Sequence, residues 1–277
     1  MVTRCISGAV LAIIAVVAMF VGGPLLAVLL LLTSMVAYRE LTRALQVNNE
    51  EKGYNGAEVI GTIGILLYYL TVYFGDDTLR LRCIVGVFMA EMFLYVIKFP
   101  KYQAEQIVAA VFAFLYAPVM LSFIYLTRNT EYGIYMVWLI LISSWVCDTC
   151  AYFVGVTIGK KRIFPVLSPK KSLEGCIGGV AGSALVGGLY AFFIVERAIP
   201  DRNVLWIVVF ISAAGAVMSM VGDLAASAIK RNHNIKDYGK LIPGHGGVMD
   251  RFDSMIVTAP MIYFLTFLML EGNIPLV

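Results

Sequence analysis

Two polar segments stand out in a chain that is otherwise strongly apolar. Residues 159–175 contain five lysines and arginines, and residues 230–253 contain five more together with both histidines. The second segment, KRNHNIKDYGKLIPGHGGVMDRFD, also places aspartates among its positive charges. Lysine, arginine and histidine side chains bind phosphate groups, and carboxylates bind hard divalent cations. These two segments therefore predict a site for a metal ion and a polyphosphate.

Carboxylates in and beside the apolar runs are the candidate metal ligands. Asp223 lies in the last third of an apolar run, where an ionisable side chain is costly and indicates a function. Ser227 follows it at i+4 on the same helical face, and Asp250 and Asp253 would share a face if their segment is helical. With Asp148 as a further candidate, we expect Mg²⁺ or another hard divalent cation, with a second ion left open. Each carboxylate taken singly could instead end a helix and pair with a neighbouring lysine or arginine.

The turn PGHGG at 243–247 predicts the phosphate-binding half of the site. Glycines let backbone N–H groups approach an anion closely, and the N-terminus of a following helix attracts negative charge. His245 can donate a hydrogen bond to a phosphate oxygen, and Arg251 can bind one through two parallel bonds. The chain contains neither a P-loop nor the GxGxxG fingerprint, so nucleotide binding would use another design. The run KKR at 160–162 is also explained by contact with anionic lipid head groups.

The composition shows which elements must position these residues. The chain is 60% hydrophobic and only 14% charged, whereas soluble domains carry roughly 25% charged residues. This excludes soluble and disordered classes and predicts an all-α polytopic membrane protein. A membrane-spanning helix needs roughly 17–25 apolar residues. The charge-poor runs predict about nine transmembrane helices, at 5–21, 25–38, 56–74, 83–97, 107–126, 133–157, 176–195, 204–229 and 255–270.

The distribution of basic residues predicts the orientation of these helices. With nine crossings, 16 of the 21 lysines and arginines fall on one side of the membrane. Cytoplasmic loops carry the excess of positive charge. The N-terminus and the loops 159–175 and 230–253 are therefore predicted to be cytoplasmic, and the C-terminus to lie on the opposite side. The break GGP at 22–24 makes a poor signal-peptide cleavage site, so the first run is interpreted as a retained helix.

The segment from Ser227 to Asp253 resembles the signature of the phosphatidate cytidylyltransferases, also called CDP-diacylglycerol synthases. The signature has serine, any residue, an apolar residue and Lys-Arg, and after four residues Lys-Asp with a small residue two positions later. It ends with His-Gly-Gly, an apolar residue, any residue and Asp-Arg-x-Asp. The blocks 148–155 and 168–175 resemble two further family blocks. Ser172 stands there where threonine is common, and Val156 stands where arginine is frequent. The matching signature positions are Ser227, Lys230, Arg231, Lys236, Asp237, Gly239, His245, Gly246, Gly247, Asp250, Arg251 and Asp253.

The resemblance implies that CTP and phosphatidic acid give CDP-diacylglycerol and pyrophosphate. It implies a bacterial inner-membrane enzyme with a cytoplasmic active site, a homodimer, and no nucleic-acid partner. Residues 131–277 would be the catalytic region with both cytoplasmic loops. Residues 1–130 would be a transmembrane region whose helices match the family only in their hydropathy. Asp223 and Asp250 would bind the metal, supported by Asp253, Ser227 and Asp148. The phosphate-handling residues would be Lys236, His245 and Arg251 as the catalytic group, with Lys230, Arg231, Gly246, Gly247, Ser168, Lys170, Lys171 and Glu174 binding the substrates.

Three other interpretations remain open at the level of sequence. His245 and Asp250 also form HxxxxD, a short pattern typical of glycerolipid acyltransferases, in which histidine removes a proton from a hydroxyl. A CDP-alcohol phosphotransferase would need a string of spaced aspartates that is absent. An ion-coupled transporter would use the charges of Asp148, Asp223 and Glu91 within the membrane. Transporters often contain repeated halves, and this chain has no convincing internal repeat.

Overall fold

A computed structural model describes residues 2–48, 53–199, 203–242, 244 and 246–271 of the chain. Across these ranges the regular structure is helical, with two isolated β-bridges and no strand. The all-α prediction is therefore confirmed. The helices are α1 (Val2–Val21), α2 (Gly23–Ala44), α3 (Gly56–Phe74), α4 (Asp77–Ile97), α5 (Ala104–Arg128), α6 (Gly133–Thr157), α7 (Leu173–Ala198), α8 (Val204–Asn232) and α9 (Met249–Leu270).

Seven helices in the described ranges are long and apolar enough to cross a membrane, namely α2, α3 and α5 to α9. In α1 the apolar stretch is the shorter Gly8–Val21. Helix α4 is not among the seven and carries Asp77, Arg80, Arg82 and Glu91. An integral membrane protein of several apolar helices is therefore the architecture. The count of nine membrane crossings and the side of the membrane on which each terminus lies stay predictions.

Local sequence signals explain where α2 and α3 begin. Gly22 has a φ of 69°, which L side chains rarely adopt, and Pro24 lies in the first turn of α2. Proline is tolerated there because its missing N–H would have no partner within the helix. Helix α3 begins with a capping box, in which the Asn55 side chain accepts from Glu58 N–H and the Glu58 side chain accepts from Asn55 N–H.

The helices pack into two compact units, and the first contains residues 1–125 and 229–252. In this unit α2 and α3 pack closely, because Gly61 leaves room for the buried ring of Tyr38. The Ser34 and Tyr69 hydroxyls lie 2.7 Å apart and are hydrogen-bonded in the same interior. Segment 229–252 thus packs with the N-terminal helices, and the functional division near residue 130 stays a prediction.

The second unit contains residues 126–228 and 253–275. Helices α6 and α7 approach closely through glycines on α7: a Cβ added to Gly178, Gly179 or Gly182 would meet α6 side chains. Small residues permit this packing in membrane helices. Two of the contacted side chains are Cys147 and Cys150, both free thiols, so the CxxC spacing serves helix packing here.

Candidate active site

In the first unit, Asp250 is the centre of a hydrogen-bonded cluster within the signature segment. Its side chain lies in the first turn of α9 and is only 4% exposed. Lys230 Nζ donates to Oδ1 at 2.9 Å, while the N–H groups of Tyr238 and Gly247 donate to Oδ2 at 2.8 and 3.0 Å. Lys230 also lies over the Tyr238 ring, 5.3 Å from its centroid. Asp250 therefore binds both the end of α8 and the turn that leads into α9.

Glu40, near the end of α2, contacts the same turn and was not identified from the sequence. Its Oε1 accepts from Val248 N–H at 3.1 Å, and its Oε2 accepts from Met249 N–H at 2.8 Å. The first N–H groups of a helix have no partner within that helix, so a carboxylate from elsewhere can cap them. The only sequence signal was an acidic residue at the polar end of an apolar run.

These contacts alter the expectation for anion binding at the turn. The N–H groups of Gly247, Val248 and Met249 all donate to the carboxylates of Asp250 and Glu40. A phosphate could use these three donors only by displacing a carboxylate. The side chains of Arg231, Lys236 and Arg251 are exposed and remain candidate partners for an anion. His245, together with Pro243, lies outside the described residues.

In the second unit, Asp223 on α8 pairs with Lys171 from the loop before α7. Lys171 Nζ lies 2.5 Å from Asp223 Oδ2, and the Asp223 side chain is 32% exposed. Asp148 on α6 interacts electrostatically with both residues. The structure therefore brings together three of the predicted site residues, two carboxylates and one ammonium group.

The other two predicted metal ligands of this unit lie on α8 and α9. A Cβ added to Gly222, the residue before Asp223, would meet the Asp253 carbonyl oxygen, so the two helices approach closely there. The Asp253 side chain accepts from Ser254 N–H at 2.8 Å. Ser227 lies one turn after Asp223 on α8 and is partly buried.

The loop between α6 and α7 is organised by Glu174 and Ser172. The Glu174 carboxylate accepts from the N–H groups of Lys160 and Lys161, with its closest contacts at 3.0 and 3.2 Å. Ser172 caps α7 by accepting from Gly175 N–H at 3.2 Å. The Ser168 carbonyl oxygen accepts a hydrogen bond from Lys171 N–H at 3.1 Å. These contacts fix the loop backbone. Lys170 is exposed in this loop, and its carbonyl oxygen accepts from Arg162.

The carboxylates are compatible with Mg²⁺ bound together with a substrate. Among the described residues, no group of three or more histidine, cysteine, aspartate or glutamate side chains is arranged to hold a metal ion. Mg²⁺ commonly uses one or two protein carboxylates and completes its shell with phosphates and water. Asp250 accepts three hydrogen bonds, and a carboxylate has about four acceptor positions. Asp223 in the second unit and Asp250 in the first unit are therefore each suited to hold an ion that a phosphate ligand accompanies.

Sequence similarity to known proteins covers nearly the whole chain. The sequence matches the cytidylyltransferase family over residues 2–269. It is 37% identical over 209 residues to the phosphatidate cytidylyltransferase of Thermotoga maritima, covering 75% of each chain. It is 30% identical over 247 residues to that of Staphylococcus saprophyticus, covering 88% of this chain and 90% of the relative. The similarity therefore includes the N-terminal helices as well as the signature segment.

Proposed function

The chain belongs to the cytidylyltransferase family, and on that premise we propose that it transfers the cytidylyl group of CTP to phosphatidic acid. The products are CDP-diacylglycerol and pyrophosphate. The two bacterial relatives are phosphatidate cytidylyltransferases, and the similarity covers 75% and 90% of their lengths. This similarity favours the proposal over the acyltransferase, CDP-alcohol phosphotransferase and transporter interpretations.

The observation that carries the mechanism is a pair of carboxylate–lysine contacts, one in each unit. Lys230 pairs with Asp250, and Lys171 pairs with Asp223. A metal–nucleotide complex brings a cation for a carboxylate and phosphate oxygens for a lysine. Each pair can therefore exchange its internal contact for two contacts with the substrate without leaving a charge unpaired, which would be costly at a partly buried position.

Chemistry of this kind needs positioning more than proton transfer. An oxygen of the lipid phosphate attacks the α-phosphorus of CTP and forms a new P–O bond. The bond from that phosphorus to the bridging oxygen of the β-phosphate breaks, and pyrophosphate leaves with the electron pair. The attacking phosphate is already ionised near neutral pH, so no strong general base is required. Catalysis then depends on aligning the two anions and stabilising the developing charge.

We assign the phosphate contacts to the basic side chains of the two loops. Arg231, Lys236 and Arg251 are exposed on the first unit, and His245 is proposed as a hydrogen-bond donor to a phosphate oxygen. Lys170 and Lys171 serve the same purpose in the second unit. Charged donors suit this task because their hydrogen bonds to phosphate are short and strong. Their positive charges reduce the repulsion between a nucleoside triphosphate and an anionic lipid.

Asp223 and Asp250 are each proposed as a ligand of a divalent cation, with Ser227, Asp253 and Asp148 in support. When bound, the cation would polarise phosphate oxygens and stabilise the charge of the leaving pyrophosphate. The residues of the chain hold the ion and orient its phosphate ligands. Asp148, which interacts electrostatically with Asp223 and Lys171, strengthens the negative potential that attracts the ion.

We further propose nine crossings, a cytoplasmic N-terminus and a cytoplasmic active site in the bacterial inner membrane. Helices α1 and α4 have 20 and 21 residues, long enough to span about 30 Å of hydrocarbon. The concentration of lysine and arginine in the two polar loops supports the orientation. Lys170 and Lys240 would then be labelled from the cytoplasmic side in single-cysteine variants. Labelling of the two positions from opposite sides would exclude this topology. A homodimer is proposed from family resemblance alone, and crosslinking in membranes tests it.

A direct assay tests the reaction. The purified chain in detergent–lipid mixed micelles is supplied with CTP and Mg²⁺, with or without phosphatidic acid. We expect pyrophosphate release and CDP-diacylglycerol formation only when the lipid is present, in equal molar amounts. Pyrophosphate release without the lipid, or acyl transfer from an acyl donor, would contradict the proposal.

A further inference from the structure

Glu40 joins α2 to a segment more than 200 residues further along the chain. The sequence separations of its two hydrogen bonds, to Val248 and Met249, are 208 and 209 residues. The residue is only 6% exposed. A buried carboxylate is costly unless its hydrogen bonds are satisfied, and here both oxygens accept from backbone N–H groups. The two hydrogen bonds therefore satisfy both oxygens of the buried carboxylate.

The turn is shaped to receive this side chain. A Cβ added to Gly239 or Gly247 would overlap the Glu40 carboxylate. Both glycines belong to the segment that resembles the family signature, and the absence of a side chain at these two positions leaves room for Glu40. The positive end of the α9 helix dipole adds to the attraction for the carboxylate.

A second buried carboxylate in the same unit provides a contrast. Glu58 is fully buried and pairs with Arg39 at 2.5 Å. It also accepts from Thr42 and from Asn55 N–H. These partners lie on α2 and at the start of α3, and none belongs to the signature segment. Glu58 thus stabilises the N-terminal helices, whereas Glu40 contacts the turn that carries Asp250 and Arg251.

We propose that Glu40 is a positioning residue for the cytidylyl transfer. By holding the N–H groups of Val248 and Met249, it fixes the first turn of α9. That turn carries the Asp250 carboxylate, which in turn accepts Gly247 N–H. Glu40 does not contact substrate; it sets the orientation of Asp250 and Arg251 and keeps the helix N-terminus closed to phosphate. The inference rests on the proposed role of this turn in binding the metal–nucleotide complex.

Glu40→Gln and Glu40→Asp separate positioning from folding. Glutamine keeps the shape but offers one acceptor oxygen and turns an NH₂ group toward a backbone N–H. Aspartate keeps both acceptors on a side chain one methylene shorter. We expect kcat/KM for CTP to fall about tenfold or more in Glu40→Gln, the scale of losing a charge-assisted hydrogen bond, and less in Glu40→Asp. Hydrogen exchange should increase in peptides that cover Val248 and Met249, with the melting temperature changed by only a few degrees.

Two further variants complete the test. Gly239→Ala should reproduce the kinetic effect, because its methyl group displaces the Glu40 carboxylate. Glu58→Gln is the matched control: it should lower the melting temperature while the folded enzyme keeps its KM for CTP. Glu40 variants whose folded fraction has wild-type kcat and KM would overturn the positioning role, and so would equal kinetic losses in Glu40→Gln and Glu58→Gln. Because wild type is assayed in parallel, absence of CDP-diacylglycerol formation there would instead count against the proposed function.

Discussion

The two units hold their candidate metal ligands in different ways. Asp250, in the first unit, is 4% exposed and accepts hydrogen bonds from Lys230 and from two backbone N–H groups. Asp223, in the second unit, is 32% exposed and pairs with the ammonium group of Lys171. The Asp250 carboxylate is held by backbone N–H groups of a turn. The Asp223 carboxylate lies on a helix and is paired with the long side chain of Lys171.

Two aspartates that are both candidate metal ligands can therefore differ in how much they contribute to stability. Replacing Asp250 removes a candidate ligand and also releases the turn before α9. Replacing Asp223 removes charge with little loss of structure, because a partly exposed ion pair contributes at most about 1 kcal/mol. Substitution of Asp223 should therefore lower activity with little loss of stability, whereas substitution of Asp250 should lower both.

The largest effect is expected for Asp250→Asn. Asparagine has one acceptor oxygen in place of two, so Lys230 or a backbone N–H loses its partner. Breaking a buried pair costs about 3 kcal/mol or more. We expect turnover to be lost and the melting temperature to fall clearly. Adding Lys230→Met should restore part of the melting temperature and none of the activity. Activity above about a tenth of wild type, a difference of only ~1.4 kcal/mol, would remove Asp250 from the ligand set.

Asp223→Asn should abolish turnover to a similar extent with a melting temperature close to wild type. The change keeps the side-chain shape and removes the charge that would hold the cation. Thermal unfolding and CDP-diacylglycerol formation are measured on the same preparation. A large drop in melting temperature would show that the comparison between the two aspartates is wrong, and residual activity above about a tenth would exclude an essential ligand.

A loss of about 10²-fold is expected for His245→Ala, the scale of removing one preorganised donor to transition-state charge. His245→Gln keeps a donor of similar reach and should retain measurable activity. A proton-transferring histidine, as in an acyltransferase, could not be replaced by glutamine. Equal and complete loss in both variants would therefore contradict a role in phosphate binding.

The smallest effect concerns the lysines of the two pairs. Lys171→Gln removes the charge that competes with a cation for Asp223, so affinity for Mn²⁺ without CTP should rise about tenfold, or ~1.4 kcal/mol. Lys230→Gln should raise it less, because Asp250 keeps two backbone donors. Titration followed by electron paramagnetic resonance measures both affinities. An unchanged affinity in Lys171→Gln would mean that the cation does not bind at Asp223.

Hydropathy predicted the helices well because each apolar run is a local property of the chain. All nine runs correspond to helices, and the GGP break separates α1 from α2. The errors lie at the polar ends. The second run was predicted to end at residue 38, yet α2 continues to Ala44 and includes Glu40. The last was predicted to begin at residue 255, yet α9 begins at Met249. Polar residues at a membrane surface remain helical without being apolar.

The class of protein, the candidate site residues and the family resemblance could all be predicted from the amino-acid sequence. Low charge over many long runs requires membrane helices, and a motif of twelve spaced residues is a local pattern. Only the tertiary structure revealed that Lys171 pairs with Asp223, that Glu174 holds the backbone of its own loop, and that Glu40 caps α9. Such contacts depend on which helices pack together. A hydrogen bond across 208 residues leaves no spacing or periodicity in the sequence from which it could be predicted.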